Sequence, residues 1–137
     1  MRRLAAILAV PAVLAGCGGH SISPERVARN WSAALNADDN AGAAKLFAPD
    51  ARVVQGSFVE RLRTEADATR WNSALPCSGH ITGVESDGDI VTATFLLGPR
   101  KGSPCDAPGA TATAQFTVHH GKIVLWRQLP DVGPPTA

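Results

Sequence analysis

Polar and apolar residues alternate along the second half of the chain with the period of two that is typical of β-strands. The clearest case is residues 110–119, where Ala112, Ala114, Phe116 and Val118 share one face and threonines and a glutamine share the other. A strand of this kind has only one apolar side, so the sheet needs a cover on that side. The pattern predicts four antiparallel strands, and they are placed at residues 80–85, 90–97, 110–119 and 122–129.

The segments between these strands carry turn-forming residues. Asp87-Gly88 favours a two-residue hairpin, and His120-Gly121 provides the last turn. Residues 98–109 form a longer loop that is rich in glycine and proline. The strands are therefore predicted to be neighbours in chain order, as a meander.

The first half of the chain shows helical spacing instead. Ser23-Pro24-Glu25 combines an N-cap, a first-turn proline and a first-turn acid, which are start signals for a helix. A second helix is predicted at residues 43–47 and ended by Pro49, and a third follows the Thr64 cap and is ended by Pro76. A first strand, at residues 50–55, with its turn and return at 56–60, separates the last two helices. The apolar faces of the first and third helices comprise Val27, Trp31, Ala34 and Leu35, and Ala68, Trp71, Ala74 and Leu75.

The N-terminus has the features of an export signal. Arg2 and Arg3 precede a short apolar run at residues 4–14, and Leu14-Ala15-Gly16-Cys17 resembles the lipobox of bacterial lipoproteins. The resemblance implies a signal peptide at residues 1–16, acylation (including palmitate) of Cys17, and a location on the outside of a membrane in the cell envelope. The alternative is an ordinary secretory signal in which Cys17 is incidental.

The remaining chain, residues 17–137, has the length of one domain. Residues 17–22 form the predicted lipid anchor and tether, residues 23–130 the domain, and residues 131–137 a loose tail. Without Arg2 and Arg3 the formal net charge changes from +1 to −1, and the chain has no run of basic residues. Nucleic acid is therefore not expected as a partner.

Two cysteines remain after Cys17. In an exported domain, Cys77 and Cys105 favour a disulfide between the third helix and the long loop. A free thiol pair or a metal site is the alternative. His80 is close in sequence, but the chain lacks the paired C-x-x-C spacing of zinc sites, and no metal or cofactor is expected.

Three segments resemble the NTF2-like (SnoaL-like) superfamily. They are residues 31–35 (WSAAL), residues 46–51 (LFAPDA, similar to the family's entry into its first strand) and residues 121–127 (GKIVLWR, similar to its closing strand). The resemblance implies an α+β fold in which N-terminal helices pack on a curved, mostly antiparallel sheet to form a cone. It also implies a pocket between the helices and the concave face of the sheet.

The predicted pocket is apolar with a few polar groups. Small residues on the sheet either leave room for a ligand or allow a helix to pack closely, and the tryptophans are either core or pocket wall. Arg127, which shares parity with Ile123 and Leu125, is the first candidate to orient a ligand, and His80 is the second. The candidate set is Trp31, Trp71, Phe95, Ala112, Ala114, Phe116, Arg127 and His80.

Catalytic groups are difficult to find in this sequence. The chain contains no tyrosine, whereas steroid-isomerase-like relatives use a tyrosine donor beside an acid. No carboxylate falls at the centre of a predicted strand, and the adjacent His119 and His120 point to opposite faces. The interpretation is a non-catalytic module for a small apolar ligand or an envelope protein. The alternatives are a SnoaL-like isomerase, cyclase or hydrolase acting on a small hydrophobic substrate, and a structural module that forms a homodimer.

Overall fold

The computed structural model describes residues 22–130. The predicted signal peptide, the Cys17 anchor with most of its tether, and the tail at residues 131–137 lie outside the described residues. Those assignments therefore stay predictions.

Three helices have side-chain caps at their N-termini. They are α1 (Pro24–Asn36), α2 (Asn40–Ala44) and α3 (Glu65–Ala74). The side chains of Ser23, Asp39 and Thr64 each accept a hydrogen bond from the backbone N–H three residues on, at 2.8–3.2 Å. These bonds satisfy amides that lack a partner within the helix. Among residues 22–130, no helix is both long and apolar enough to cross a bilayer.

Six strands form one sheet in the order β2-β1-β6-β5-β4-β3. The strands are β1 (Phe47–Gln55), β2 (Phe58–Leu62), β3 (Cys77–Asp87), β4 (Ile90–Pro99), β5 (Thr111–His119) and β6 (Lys122–Leu129). All neighbours are antiparallel except β1 and β6, which run parallel. The predicted meander and α+β fold are confirmed, and the β1–β2 hairpin extends the sheet beyond β6.

The predicted boundary between the second helix and the first strand is wrong. The helix ends at Ala44, and Phe47 already belongs to β1, where it pairs with Ile123 of β6. Pro49 lies within the strand, beside Asp50, whose φ is +63°, and the β1–β6 register shifts at this point. An irregularity of this kind accommodates a residue without an N–H. Pairing with β6 therefore overrides the local helical preference of residues 45–47.

The helices cover the concave face of the sheet, which is the apolar face that the alternation predicts. Val91, Ala93, Ala114, Phe116 and Val118 are each at most 3% exposed. The threonines of β5 lie on the opposite, outer face. At about 25 cal/mol per Å² of apolar surface, burying this face is the main stabilising contribution of the fold.

Candidate ligand-binding site

Six aromatic side chains meet in the centre of the cone. The ring centroid of Trp31 lies 5.4 Å from that of Phe116, 6.0 Å from that of Trp126 and 6.2 Å from that of Phe95. Trp71 lies 4.9 Å from Trp126 and 5.7 Å from Phe47. Most of these pairs are edge-to-face or tilted, a geometry worth about 0.5–1.5 kcal/mol per pair beyond the buried area. The cluster forms a close-packed inner wall for whatever space remains.

The three indole N–H groups of this cluster differ in whether they have a hydrogen-bond partner. Trp31 Nε1 donates to Asn72 Oδ1 at 2.8 Å, and Asn72, which is fully buried, donates in turn to the Ala68 carbonyl at 2.8 Å. The Nε1 atoms of Trp71 and Trp126 are buried without a hydrogen-bond partner among residues 22–130. Each such group costs about 1–3 kcal/mol. Aromatic packing therefore outweighs hydrogen-bond satisfaction on one side of the cluster.

A cavity of about 220 Å³ remains at one end of the cone, and we call it the open-end cavity. Trp31, Phe95 and Trp126 line its inner side, and Ala112 and Ala114 of β5 form its floor. The two alanines are adjacent on the concave face, and neither fills the space in front of it. The volume corresponds to about seven water molecules at ~30 Å³ each.

The start of β3 is held against α1 at the edge of this cavity. Asn36 Nδ2 and Ser32 Oγ donate to the Gly79 carbonyl at 2.9 and 3.2 Å, and the Gly79 N–H donates to Asn36 Oδ1 at 3.0 Å. A Cβ at residue 79 would lie 3.0 Å from the Cβ of Phe95, which is closer than side chains normally approach. Glycine at this position therefore allows β3 to pass close to Phe95 and fixes the cavity's rim.

The rim also contains the disulfide. Cys77 and Cys105 are joined, with an S–S distance of 2.06 Å and a Cα–Cα distance of 4.6 Å, as predicted. The exposed Asp106 carboxylate lies 3.3 Å from Cys77 Sγ and borders the cavity. Because the two sulfurs are bonded to each other, this cluster of two cysteines and an acid does not offer thiolates to a metal ion.

Two glutamine amides provide further polar groups. Gln55 Nε2 donates to Gln128 Oε1 at 3.3 Å across the β1–β6 pair, and both side chains line the cavity. Neither glutamine was a candidate from the sequence. Simple alternation along residues 122–129 points Gln128 away from the cone, and only the irregularity in β6 turns it inward.

Two polar candidates from the sequence do not reach the open-end cavity, and this is a correction. The β5–β6 register shifts between Thr117 and Val118, so the inward face of β6 passes from Ile123 to Trp126 and Gln128. Arg127 then pairs with Gln115 on the outer face, where it is exposed. His80 is also exposed on the outer face, opposite Leu96, because its neighbours Gly79 and Ile81 point inward.

The other candidates divide between cavity and core. Trp31, Phe95, Ala112 and Ala114 line the open-end cavity. Trp71 and Phe116, which are 5% and 0% exposed, belong to the aromatic cluster and do not border the cavity.

A buried arginine that the sequence analysis missed supports the same region. The Arg100 side chain is 3% exposed. Its guanidinium donates to the carbonyls of Asn72 and Leu75 at 2.7 and 2.9 Å, and to Asp38 Oδ1 at 3.0 Å and Asn40 Oδ1. It thereby ties the long loop to the α1–α2 turn and to the end of α3. Its place in a loop rich in glycine and proline gives no sequence signal of burial.

The sequence profile that describes a SnoaL-like domain matches residues 28–126. The chain belongs to the SnoaL-like domain family. The match covers most of α1, all of α2 and α3 and nearly all of the sheet, and the NTF2-like resemblance predicted from residues 31–35, 46–51 and 121–127 is confirmed.

Solved structures with the same fold resemble this SnoaL-like domain at low sequence identity. A proposed polyketide cyclase from Sinorhizobium meliloti has 22% identity and a TM-score of 0.61, over 75% of this chain and 93% of that one. A proposed ketosteroid isomerase from Kribbella flavida has 20% identity and a TM-score of 0.64, over 83% of each chain. A ketosteroid isomerase-like fold from Catenulispora acidiphila, in complex with trimethylamine, has 19% identity and a TM-score of 0.61, over 81% and 88%. No functionally curated protein matches significantly. At these identities the structures establish the fold.

The open-end cavity of this SnoaL-like domain offers few groups for proton transfer. Among the described residues that line it, Asp106 is the one with a free ionisable side chain, since Cys77 is in the disulfide. General acid–base catalysis needs a positioned group whose pKa is matched to the task, and Asp106 is an exposed side chain of the rim. The arrangement is suited to excluding water from a small ligand.

Proposed function

We propose that this SnoaL-like domain is a non-catalytic binding module that holds a small, largely apolar ligand in the open-end cavity. The observation that carries the proposal is the cavity itself. It has aromatic and alanine walls, two glutamine amides, and a single free carboxylate at its rim. Ligand sites of this kind gain affinity from excluded water and take their orientation from a few polar groups.

The volume of the cavity limits the size of the ligand. Sites for drug-sized molecules usually have volumes of about 300–1,000 Å³, and this cavity has about 220 Å³. The three neighbours named above are described as a proposed polyketide cyclase, a proposed ketosteroid isomerase and a complex with trimethylamine, and these descriptions suggest ligands of very different sizes. Trimethylamine is the smallest of these ligands and is the most compatible with the space in this chain.

A lipid on Cys17 would place the module at the outer surface of a membrane. The basic start, the apolar run and Leu14-Ala15-Gly16-Cys17 support this part of the proposal. Replacing Cys17 with serine and fractionating the cells tests it. Loss of acyl mass and release from the membrane fraction are expected, and a variant that keeps both would refute the anchor.

Matched substitutions on neighbouring residues of β5 test binding. Ala112→Leu places a larger side chain in the cavity, whereas Thr111→Leu places the same side chain on the outer face. Toluene and cyclohexanol should raise the melting temperature of the full chain, since a ligand that binds only the folded state stabilises it. The rise should be lost in Ala112→Leu and kept in Thr111→Leu. Equal responses in the two variants would show that the probes bind elsewhere.

The enzyme alternative makes a different prediction. A SnoaL-like enzyme using this cavity would depend on Asp106, so turnover of a small ketone or ester that disappears in Asp106→Asn would refute the non-catalytic assignment.

The homodimer alternative has its own observation, because Phe58 and Val59 of the edge strand β2 are 55% and 60% exposed. Sedimentation of the full chain and of Val59→Lys separates a dimer through this edge from a monomer.

A further inference from the structure

The walls of the open-end cavity show which kind of small ligand suits it. Trp31, Phe95 and Trp126 all line the cavity, and the centroid distances of 6.2 Å from Trp31 to Phe95 and 6.0 Å from Trp31 to Trp126 show that the rings contact each other as one continuous aromatic wall. The face of an aromatic ring is electron-rich and attracts a cation that lies within about 6 Å of the ring centroid, most strongly when the ring is tryptophan. Two of the three walls are tryptophan.

The charges around the cavity also favour a cation. Among the described residues that line it, none is a lysine, an arginine or a histidine. Arg127 and His80 face the other side of the sheet, and the guanidinium of Arg100 donates to oxygens of the helices and the α1–α2 turn. The charged group at the rim is the carboxylate of Asp106. An anion would therefore meet a like charge and no counter-ion.

Several of the remaining polar groups at the cavity are acceptors that suit a cation. The hydroxyl groups of Ser32 and Ser78, both at the cavity, donate to the carbonyls of Gly79 and of residues 98 and 99. Their oxygens keep lone pairs available. Gln55 Nε2 donates to Gln128 Oε1, which leaves the carbonyl oxygen of Gln55 as an acceptor.

From these three observations we infer that the open-end cavity binds a compact alkylammonium group, such as a trimethylammonium head, against Trp31, Phe95 and Trp126, with Asp106 as its counter-ion. The inference names a ligand class for the same cavity and so rests on the proposed function. The methyl groups of such a cation supply the apolar surface that the alanine floor requires, and its diffuse charge is cheaper to desolvate than that of a primary amine. A volume of about 220 Å³ accommodates the head group but no large substituent.

Choline and its neutral carbon isostere, 3,3-dimethylbutan-1-ol, form the decisive pair of probes because they share shape and differ in charge. Calorimetric titration of the full chain in a maltoside detergent, which carries no cationic group, should give choline about a tenfold higher affinity. Equal affinities would overturn the alkylammonium inference while leaving a binding cavity in place. If neither probe binds, the inference is also wrong, and the toluene experiment decides separately whether the cavity binds at all.

Two substitutions assign the contacts. Phe95→Leu keeps an apolar side chain but removes a ring face, and it should weaken choline about fivefold and leave the isostere nearly unchanged. Asp106→Asn should weaken choline about threefold, as expected for an exposed ion pair. Asp87→Asn makes the same charge change at the exposed β3–β4 hairpin and should leave both affinities unaltered. Choline affinity that is insensitive to Phe95→Leu would contradict the aromatic site.

An alkylammonium group occurs both in free solutes and in phosphatidylcholine headgroups. Glycerophosphocholine distinguishes these sources because it adds the headgroup phosphate. Binding of glycerophosphocholine as tightly as choline would show that the cavity accepts a phosphocholine headgroup, and binding of choline alone would exclude that headgroup and assign a free solute.

Discussion

The two ends of the cone contain the same strands but are filled differently. At the filled end, defined by Phe47, Trp71, Val118 and Ile123, each of these side chains is at most 7% exposed and large enough to contact the next. At the open end, β5 presents Ala112 and Ala114 instead. The cavity therefore results from residue size at these two positions and not from a gap in the sheet.

The two ends of the cone also differ in their polar interactions. At the filled end, the indole N–H group of Trp71 lacks a partner within the described chain, and tight packing is the compensation. Around the open end, the disulfide, the guanidinium of Arg100 and the amide of Asn36 fasten the loops and β3 to the helices. Stability at one end thus comes from contact between aromatic rings. At the other end it comes from cross-links that leave the space between them free.

The largest effect is expected at the filled end. Trp71→Ala removes a side chain that is 5% exposed and contacts Phe47, Trp31 and Trp126. The resulting cavity should reduce the free energy of unfolding by about 3–5 kcal/mol, as measured by urea denaturation. A loss below about 1 kcal/mol would show that the cluster is not packed as described.

Removing the disulfide should have a comparable but smaller effect. The double variant Cys77→Ala, Cys105→Ala opens a loop with a sequence separation of 28 residues, and the chain-entropy relation gives a loss of about 3–4 kcal/mol. Urea unfolding of the double variant against the oxidised protein provides the measurement. Adding a reductant should lower the stability of the native protein and leave that of the double variant unchanged.

Arg100 and Arg127 offer a matched pair of arginines. Arg100→Met leaves the carbonyls of Asn72 and Leu75 and the carboxylate of Asp38 without their donor, and the expected loss is about 2–3 kcal/mol. Arg127→Met, on the outer face, should change the free energy of unfolding by less than about 0.5 kcal/mol. Similar losses in the two variants would argue against the burial of Arg100.

Filling the open end should cost little stability. Ala112→Leu places extra methyl groups into existing space, so the free energy of unfolding should change by less than about 1 kcal/mol, although overpacking a filled core usually costs about 1–3 kcal/mol. A loss of stability well above about 1 kcal/mol would mean that no space exists in front of Ala112. Chemical denaturation provides the measurement. Thr111→Leu, measured in parallel, controls for the change in β-propensity.

The smallest effect concerns the start of α3. Partial burial opposes ionisation of Asp67, but hydrogen bonds from the backbone N–H of Arg63 and from the Arg70 guanidinium outweigh it and lower the pKa of Asp67 below its ordinary value. A carboxylate with a lowered pKa stabilises the fold above its unfolded-state pKa, and this contribution is lost as the pH falls through the folded-state pKa. Asp67→Asn should therefore be less stable than the native protein at neutral pH, and the difference should vanish in strong acid. A difference independent of pH would assign the effect to packing.

The sequence predicted most of the elements because alternation and caps are local signals. The concave face of β5 and the caps at Ser23 and Thr64 follow directly from spacing. The disulfide followed from the predicted export signal and from the two cysteines that remain after Cys17. Interactions between distant segments were not accessible in this way. The strand at Phe47 depends on parallel pairing with Ile123, and neither local propensity nor Pro49 reveals it.

The site was predicted less completely, for a similar reason. One register shift in β6 exchanges the faces of Arg127 and Gln128, because a single extra residue inverts the alternation. Four of the six apolar candidates therefore line the cavity, whereas the two polar candidates do not. Arg100 and Asp106, in a loop without periodicity, carry no pattern that marks one as buried and the other as part of a rim.

Ligand binding is proposed for the open end of the cone and not for the filled end. Alanine-methyl NMR of the full chain during titration with cyclohexanol tests it directly, because both ends carry alanines. Saturable shifts of the methyl signals of Ala112 and Ala114 are expected, with that of Ala43, which is fully buried near the filled end, unchanged. A shift at Ala43, or none at Ala112 and Ala114 up to the solubility limit of the probe, would contradict ligand binding at the open end.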